Sequence, residues 1–498
     1  MKRWFLLRKK GVCLVLAGML CLLTFLSACG GEGSSGGGSV FGKKEVLPSD
    51  EPWNHGPYAI METEAGWYTS HATQIYLCLR YYEKESGNTI LLCNKPECLH
   101  ESDDGCVATY RAVNVINTVL YDGFIYVYGV QGANGRLGGR EDSPTTETVS
   151  LCLWRASLDG SSIDKVGTVF EAENAQNQKV ETIGGLYGGG MNNSSMYDKS
   201  FIIHQGYAYL PYSLQFGTGQ KGFQGGGLVR MELATGKTEE IYTMEGKING
   251  VPSNLVAYDD AVYFLRYAGN GTKWLPLYRY SIKDKTIEAM KDLNFPDARL
   301  PFGGRNHAFT ESILSVAITK DRIYLLGHSY EEKEEEDGLL SIFAFDLETG
   351  KLLEEECIDT DVPYLLKKDR RSPRRFSYYA IMPSPEGLLV TDGKGAYFYD
   401  LSGNKLGEIA VPEELLGIGE KDKDLVMDYK ISQNKLYLIF SGKNEYFYRV
   451  LSCSLEDVRQ GKGVWTDAYR IQDKFTYQQY LESLQRREEE QRKEQTAQ

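Results

Sequence analysis

An all-β fold of about seven four-stranded sheets set around a common axis is what this sequence predicts. Three observations predict it. One strand-and-turn pattern recurs along most of the chain at a period of roughly 40 to 60 residues. Many of its strands are apolar on both faces, so they need cover on both sides. Short and long connections alternate along each unit. A stack of blades around an axis, a β-propeller, satisfies all three, because each sheet packs between two neighbours. A chain of separate β-sandwiches is the alternative. It fits less well, since sandwich strands alternate apolar-in and polar-out more cleanly.

The chain begins MKRWFLLRKKG, continues VCLVLAGMLCLLTFL and reaches SAC. That is a basic n-region, an apolar core and a small-residue processing site, which together read as a signal peptide over residues 1–28. The apolar run is short for a spanning helix, which needs about 20 residues. An uncleaved N-terminal anchor is the competing reading. Leu26-Ser27-Ala28-Cys29 resembles the lipobox of bacterial lipoproteins at all four positions. The resemblance implies cleavage before Cys29 and a diacylglyceryl group on its sulfur. Two acyl chains anchor stably where one binds only marginally. Residues 30–39, GGEGSSGGGS, are a flexible tether with a root-mean-square reach of roughly 17 Å. The lipidated cysteine and tether are assigned to residues 29–50.

The formal net charge is -13, and loss of Lys2, Arg3, Arg8, Lys9 and Lys10 takes it to about -18. An acidic body argues against nucleic acid as a partner and against polybasic docking on a membrane. Membrane contact is expected through the lipid anchor alone, with the folded body facing outside the cell.

The repeats fill residues 51–473. The first is an early version built from GWYTS, QIYLCLRYY and NTILLC. The second reads VNVINTVL-YDG-FIYVYGV, then SLCLWRASL-DGSS-IDKVGTVF. The third gives FIIHQG-YAYLPYS and GLVRMEL-ATGK-TEEIY, and the fourth NLVAYDD-AVYFLRYA and LYRYSI-KDK-TIEAM. The fifth gives ILSVAITKD-RIYLLGH and SIFAFDL-ETGK-LLE. The sixth gives YYAIMPSPEG-LLVTDGK and GAYFYDL-SGNK-LGEIA, and the seventh LVMDYKISQN-KLYLIFS, YFYRVLSCSL and VWTDAYRI. Tyr, Phe, Val and Ile dominate these strands, as a pleated, packed surface favours. Residues 474–498 are charged and helix-prone and read as a solvated tail, a partner helix being the alternative.

On these residues the body resembles propeller domains of the TolB-like and WD/kelch-like kind. It lacks the G-H…W-D signature of WD repeats and the S-x-D-x-G-x-x-W box of sialidases. CNKPECLH also resembles a segment of propeller-like lipoproteins of anaerobic Gram-positive bacteria. That resemblance implies a class and carries no activity.

Within each unit the first and third turns are short. Inserts such as QGANGRLGGREDSPTTET, LQFGTGQKGFQGGG and SYEEKEEEDG fall in the second connection. The AENAQNQKVETIGGLYGGGMNNSSMYDK, DLNFPDARLPFGGRNHAFT and DVPYLLKKDRRSPRRFS segments fall between units. In antiparallel blades these connections leave from one edge, so the long loops share one face. Function tends to sit on loops held by a rigid scaffold. That face is therefore the expected binding face, and simple tolerance of insertions there is the alternative.

The densest reactive chemistry lies in LCNKPECLHESDDGC, residues 92–106. Cys93, Cys98, His100 and Cys106 could form a closed Cys3His structural zinc site. They could also hold a disulfide with a spare thiol, as export favours, or free thiols. Beyond Cys29 the mature chain has the odd set Cys78, Cys93, Cys98, Cys106, Cys152, Cys357 and Cys453, so disulfides cannot use all of them. Cys78, Cys152 and Cys453 lie in strand patterns and read as buried thiols. With either a metal or a disulfide, the cluster is expected to staple one rim loop. A structural zinc is the one cofactor the sequence suggests, and no cofactor is required by it.

Other motifs carry less. Gly327-His328-Ser329-Tyr330-Glu331 approaches the nucleophile elbow G-x-S-x-G but has Glu at the fifth position and no following helix pattern. GGLYGGGMNN and GTGQKGFQGGG lie between strands, away from any helix N-terminus that would receive a phosphate. KKDRRSPRRF is a basic run on the expected binding face. The reading is a surface lipoprotein whose propeller binds a glycan, peptide or protein partner. No catalytic residue is assigned. A surface hydrolase or lyase acting on polysaccharide or peptide is the alternative.

Overall fold

The computed structural model describes residues 55–56, 60–72, 77–98, 100, 106–110, 113–131, 149–172, 180–184, 201–216, 223–243, 252–266, 277–290, 300–302, 305–308, 316–319, 321–330, 337–365, 380–384, 386–392, 395–412, 425–432, 434–441 and 447–472. The signal peptide, Cys29, the tether and the charged tail lie outside them. Among the described residues no helix is long and apolar enough to cross a membrane.

Seven antiparallel sheets follow one another along the chain. β1 (His55–Gly56) precedes the first blade, which comprises β2 (Ile60–Glu62), β3 (Gly66–Ala72), β4 (Leu77–Glu83) and an outer strand in two pieces, β5 (Thr89–Leu91) and β6 (Thr109–Tyr110). The second has β7 (Val113–Tyr121), β8 (Phe124–Gln131), β9 (Val149–Ser157) and β10 (Ile163–Ala172). The third opens with a split inner strand, β11 (Val180–Gly184) and β12 (Ile202–His204), then β13 (Tyr207–Phe216), β14 (Phe223–Glu232) and β15 (Thr238–Thr243). β16 (Pro252–Tyr258), β17 (Ala261–Arg266), β18 (Leu277–Ser281) and β19 (Thr286–Ala289) make the fourth. The fifth contains β20 (Leu300–Phe302), β21 (Arg305–Ala308), β22 (Val316–Thr319), β23 (Arg322–Tyr330), β24 (Asp337–Asp346) and β25 (Ile358–Leu365). The sixth is β26 (Ala380–Ser384), β27 (Gly387–Asp392), β28 (Gly395–Tyr399) and β29 (Lys405–Ala410). The seventh is β30 (Leu425–Ser432), β31 (Lys435–Ser441), β32 (Phe447–Ser454) and β33 (Thr466–Gln472), with a short helix α1 (Leu455–Arg459) before its last strand. The chain is thus a seven-bladed β-propeller.

Burial on both strand faces is what separates this fold from a row of sandwiches. Every residue of β27 is buried. Leu388 and Val390 pack toward the fifth blade with Ile342 and Val362, while Leu389 packs toward the seventh with Leu436 and Leu438. Successive side chains of a strand point to opposite faces, so one strand feeds two interfaces. Each successive pair of blades, from the first and second to the sixth and seventh, shares such an apolar cluster. Full burial of one such Leu or Phe contributes about 1.5–3 kcal/mol.

The last and first blades meet through side chains. Trp67 of β3 stands edge-on to Tyr437 of β31, ring centroids 5.2 Å apart. Each blade is a continuous stretch of chain, apart from β1, which pairs with β7 of the second blade (His55 with Val119, Gly56 with Thr118).

The structure revises several boundaries. The segment around residues 173–200 carries β11, and the segment around 291–309 carries β20 and β21. Both contribute inner-edge strands where the sequence suggested plain loops. The outer strand of the fifth blade is IDTDVPYL, not LLE, because residues 347–357 form an excursion with a 3-10 turn at Glu354–Glu356. The second-connection insert of the third blade shrinks to 217–222, since Phe223 to Gly227 belong to β14. Gly227 belongs there because a Cβ would meet the Tyr242 carbonyl at 2.2 Å and the Tyr212 ring at 2.9 Å.

Candidate metal centre

The cysteine-rich segment lies inside the outer strand of the first blade, not after it. β5 and β6 pair with the same strand, β4: Arg80 opposes Leu91 and Cys78 opposes Thr109. Between them the Leu92 N–H donates to the Leu79 carbonyl (3.0 Å), and the Leu79 N–H donates to the Ala108 carbonyl (2.8 Å). The ladder therefore runs on as if residues 93–107 were absent. They form a loop pinched shut at its base.

That base is dry. Leu92, Cys106, Val107 and Ala108 are buried, and Leu92 and Val107 join the cluster that includes Leu120, Ile125 and Trp154 of the second blade. The β9–β10 turn of that blade closes over it. Asn94 N–H donates to the Gly160 carbonyl at 3.3 Å. Gly160 has φ +68°, and a Cβ there would lie 2.8 Å from both Cys93 N and Leu92 C.

Above the base the loop turns through Cys98 N–H to Lys95 C=O, 3.1 Å. His100 adopts φ 56°, in the left-handed region. The outcome is convergence. One ligand atom from each of Cys93, Cys98, His100 and Cys106 lies within 4.8 Å of all the others. His100 Nδ1 is 3.4 Å from Cys106 Sγ. Cys93, Cys98 and Cys106 are free thiols, the first two half-buried and the third buried.

Hydrogen bonding shapes the thiols. Burial pushes Cys93 up to about 11, with the Lys95 backbone N–H opposing it and the Cys106 and Cys98 thiols adding to it. For Cys98 burial acts upward too, but the His100 backbone N–H and the neighbouring Cys106 and Cys93 thiols hold it below the usual thiol range. Burial lowers His100, which favours the neutral imidazole, the form that ligates metals. Three thiols and a neutral imidazole could hold a metal ion of zinc type.

The remaining sequence candidates separate from this site. Cys152 and Cys453 are buried free thiols in strands, and Cys357 is half-buried. Ser329 lies within β23, opposite His307 of β21, so no strand-to-helix elbow forms around it. GGLYGGGMNN beyond Gly184 and the whole of KKDRRSPRRF fall outside the described residues. Gly160 was missed as a site residue. Its signal, the Asp159-Gly160 pair, reads as a turn in sequence, and only the fold shows what the turn presses against.

Connection lengths sort by edge. At one edge of the blades the connections include 122–123, 205–206, 259–260 and 433–434; at the other they include 132–148, 244–251, 366–379 and 411–424. Exceptions occur at both edges: 347–357 and 455–465 are long on the tight-turn edge and hold short helical turns, and 73–76 and 393–394 are short on the other.

No family model matches the chain, and no curated protein matches it. Solved structures match in fold at low identity. One is from a structural and mechanistic study of two prolyl endopeptidases (12% identity, TM-score 0.40, 84% of this chain and 50% of that one). Another is polysaccharide lyase Uly1 (12%, 0.38, 85% and 91%). A third is the β-propeller domain of the Trilobed protease from Pyrococcus furiosus (10%, 0.37, 83% and 97%). The chain spans about half the length of the endopeptidase. None of them assigns an activity to this chain.

Proposed function

We propose that this protein is a lipid-anchored surface lipoprotein, held through Cys29, whose propeller binds an acidic glycan on its long-connection face. The observation that supports the reading is the sorting of connections by edge. It brings the run KKDRRSPRRF, residues 367–376, into the 366–379 connection between β25 and β26. Six basic side chains in ten positions are concentrated in one connection of an otherwise acidic protein. Local positive charge on a rigid scaffold recruits polyanions despite a negative net charge.

The test uses the full chain. Radiolabelled palmitate should enter the wild type and not Cys29→Ala. Binding to immobilised polygalacturonate and to heparin should weaken at least tenfold when Arg370, Arg371, Arg374 and Arg375 are changed to Gln. It should also fall with added salt. Undiminished binding by that variant defeats the glycan reading. Binding of a protein partner in its place would move the proposal to another class.

A further inference from the structure

We infer that Cys93, Cys98, His100 and Cys106 form a closed tetrahedral zinc site that fastens the outer strand of the first blade against the second. The argument starts from convergence. Zinc binds thiolate at about 2.3 Å and imidazole at about 2.0–2.1 Å. Around a tetrahedral ion those radii put neighbouring donors roughly 3.5–3.8 Å apart. The His100 Nδ1 to Cys106 Sγ distance of 3.4 Å and the 4.8 Å span of the whole donor set are close to that shape. A disulfide needs two sulfurs and gives no reason for a third sulfur and an imidazole nitrogen to meet at the same point.

The backbone around the sulfurs agrees with this. The Lys95 N–H favours the thiolate form of Cys93, and the His100 N–H that of Cys98. Both N–H groups belong to the residue two places on, in a way that suits a thiolate. Contacts of this kind orient and tune metal ligands.

Charge also balances. Binding releases one proton from each of three thiols, and the neutral imidazole contributes none. The complex carries one net negative charge, and the Lys95 ammonium acts favourably on the Cys98 thiolate. All four positions are filled by protein, so the site is structural and leaves no place for a substrate.

Its job follows from where the loop is rooted. Cys93 and Cys106 flank the pinched base, next to the Leu92 and Ala108 bonds to Leu79. Gly160 of the second blade presses on Cys93. Closing the donor set fixes both ends of the excursion, and with them the surface on which that turn rests. This inference is independent of the glycan reading, because it concerns the opposite role: scaffold, not ligand.

The experiment takes the full chain purified under reducing conditions with zinc supplied. One zinc per chain is expected by elemental analysis. Replacement by cobalt(II) should give the thiolate-to-metal charge-transfer band and the strong visible bands of tetrahedral coordination. Cys98→Ser should lose zinc affinity at least tenfold, while Cys357→Ser keeps it. Chelation should speed amide exchange in β5, β6 and the 158–162 turn and leave the fourth blade unchanged. Zinc-free protein under these conditions overturns the inference. So does full zinc retention by Cys98→Ser, or a mass two units low from a disulfide among these cysteines. If Cys98→Ser does not fold, the cobalt spectrum of the wild type decides: a spectrum without thiolate bands overturns it.

Discussion

Gly160 shows how much of this fold hangs on single atoms. It combines a left-handed backbone, φ +68°, with a backbone 2.8 Å from where its Cβ would be. Gly206 has the same kind of backbone, φ +78°, and nothing within 4 Å. The pair separates the two costs. Gly206→Ala should lose about 1–2 kcal/mol, the left-handed penalty alone. Gly160→Ala should lose that and about 1–3 kcal/mol more from the forced separation of the blades. Denaturant unfolding of both variants reads the difference, and equal losses would mean that close packing is not why glycine stands at 160. The cluster itself was legible as a set of ligands, since cysteine and histidine announce themselves. Its partner was not, because a glycine's function here is the absence of a side chain.

Between elements, polar contacts join blades where apolar packing stops. His204 Nε2 meets the Asp259 carbonyl at 2.7 Å, linking the third blade to the fourth. The Tyr128 hydroxyl donates to the Pro211 carbonyl at 2.9 Å, linking the second to the third. Asp361 of β25 accepts from Lys405 of β29 at 2.7 Å and from the Tyr399 hydroxyl of β28, linking the fifth to the sixth. Burial alone would raise the Asp361 carboxyl; the bonds from Lys405 and Tyr399 prevail and hold it below the usual carboxylate range. Its pKa is depressed in the folded state, so its contribution to stability is present above the ordinary carboxylate pKa, about 4. It fades as pH falls through the lower folded value. Asp361→Asn should therefore lower the Tm at neutral pH and show a shallower acid limb than the wild type. A melting series from neutral pH down through pH 4 checks it, and parallel curves would rule the carboxylate out. Strands such as FIYVYGV and LLVTD were legible because their residue types and their flanking turns agree. β11, β20 and β21 were not. Each is short and exists because a neighbouring strand offers it a ladder, which no local pattern records.

At the level of the whole molecule, the joints between blades are made of different parts. The first blade is tied to the second at both edges, by β1 on β7 at the inner side and by the 93–107 loop under Gly160 at the outer side. The seventh is tied to the sixth through the 455–465 excursion: Trp465 Nε1 donates to the Ala410 carbonyl at 2.8 Å, Arg459 pairs with Glu386, and Gly407 lies against the Val458 carbonyl. Among the described residues, Trp67 on Tyr437 joins the first and seventh blades. Trp67→Ala should cost about 3–5 kcal/mol and speed amide exchange in β3 and β31 ahead of β17. Uniform acceleration around the ring would show that the seam is no weaker than the other interfaces. The seven-fold repeat was legible from sequence because every unit writes the same alternation. The make-up of each joint was not, since it depends on which distant segments meet.

The same joint sets an order of events during synthesis. A chain made from its N-terminus at 5–20 residues per second completes β3 long before it completes β31. Trp67, 4% exposed in the finished ring, then waits for roughly 20 to 70 seconds for the tyrosine that covers it. The first blade meets the second early and is fastened to it on both sides, which leaves one apolar flank bare until the last blade arrives. Nascent chains stalled before β31 should therefore be the ones that chaperones hold and proteases find.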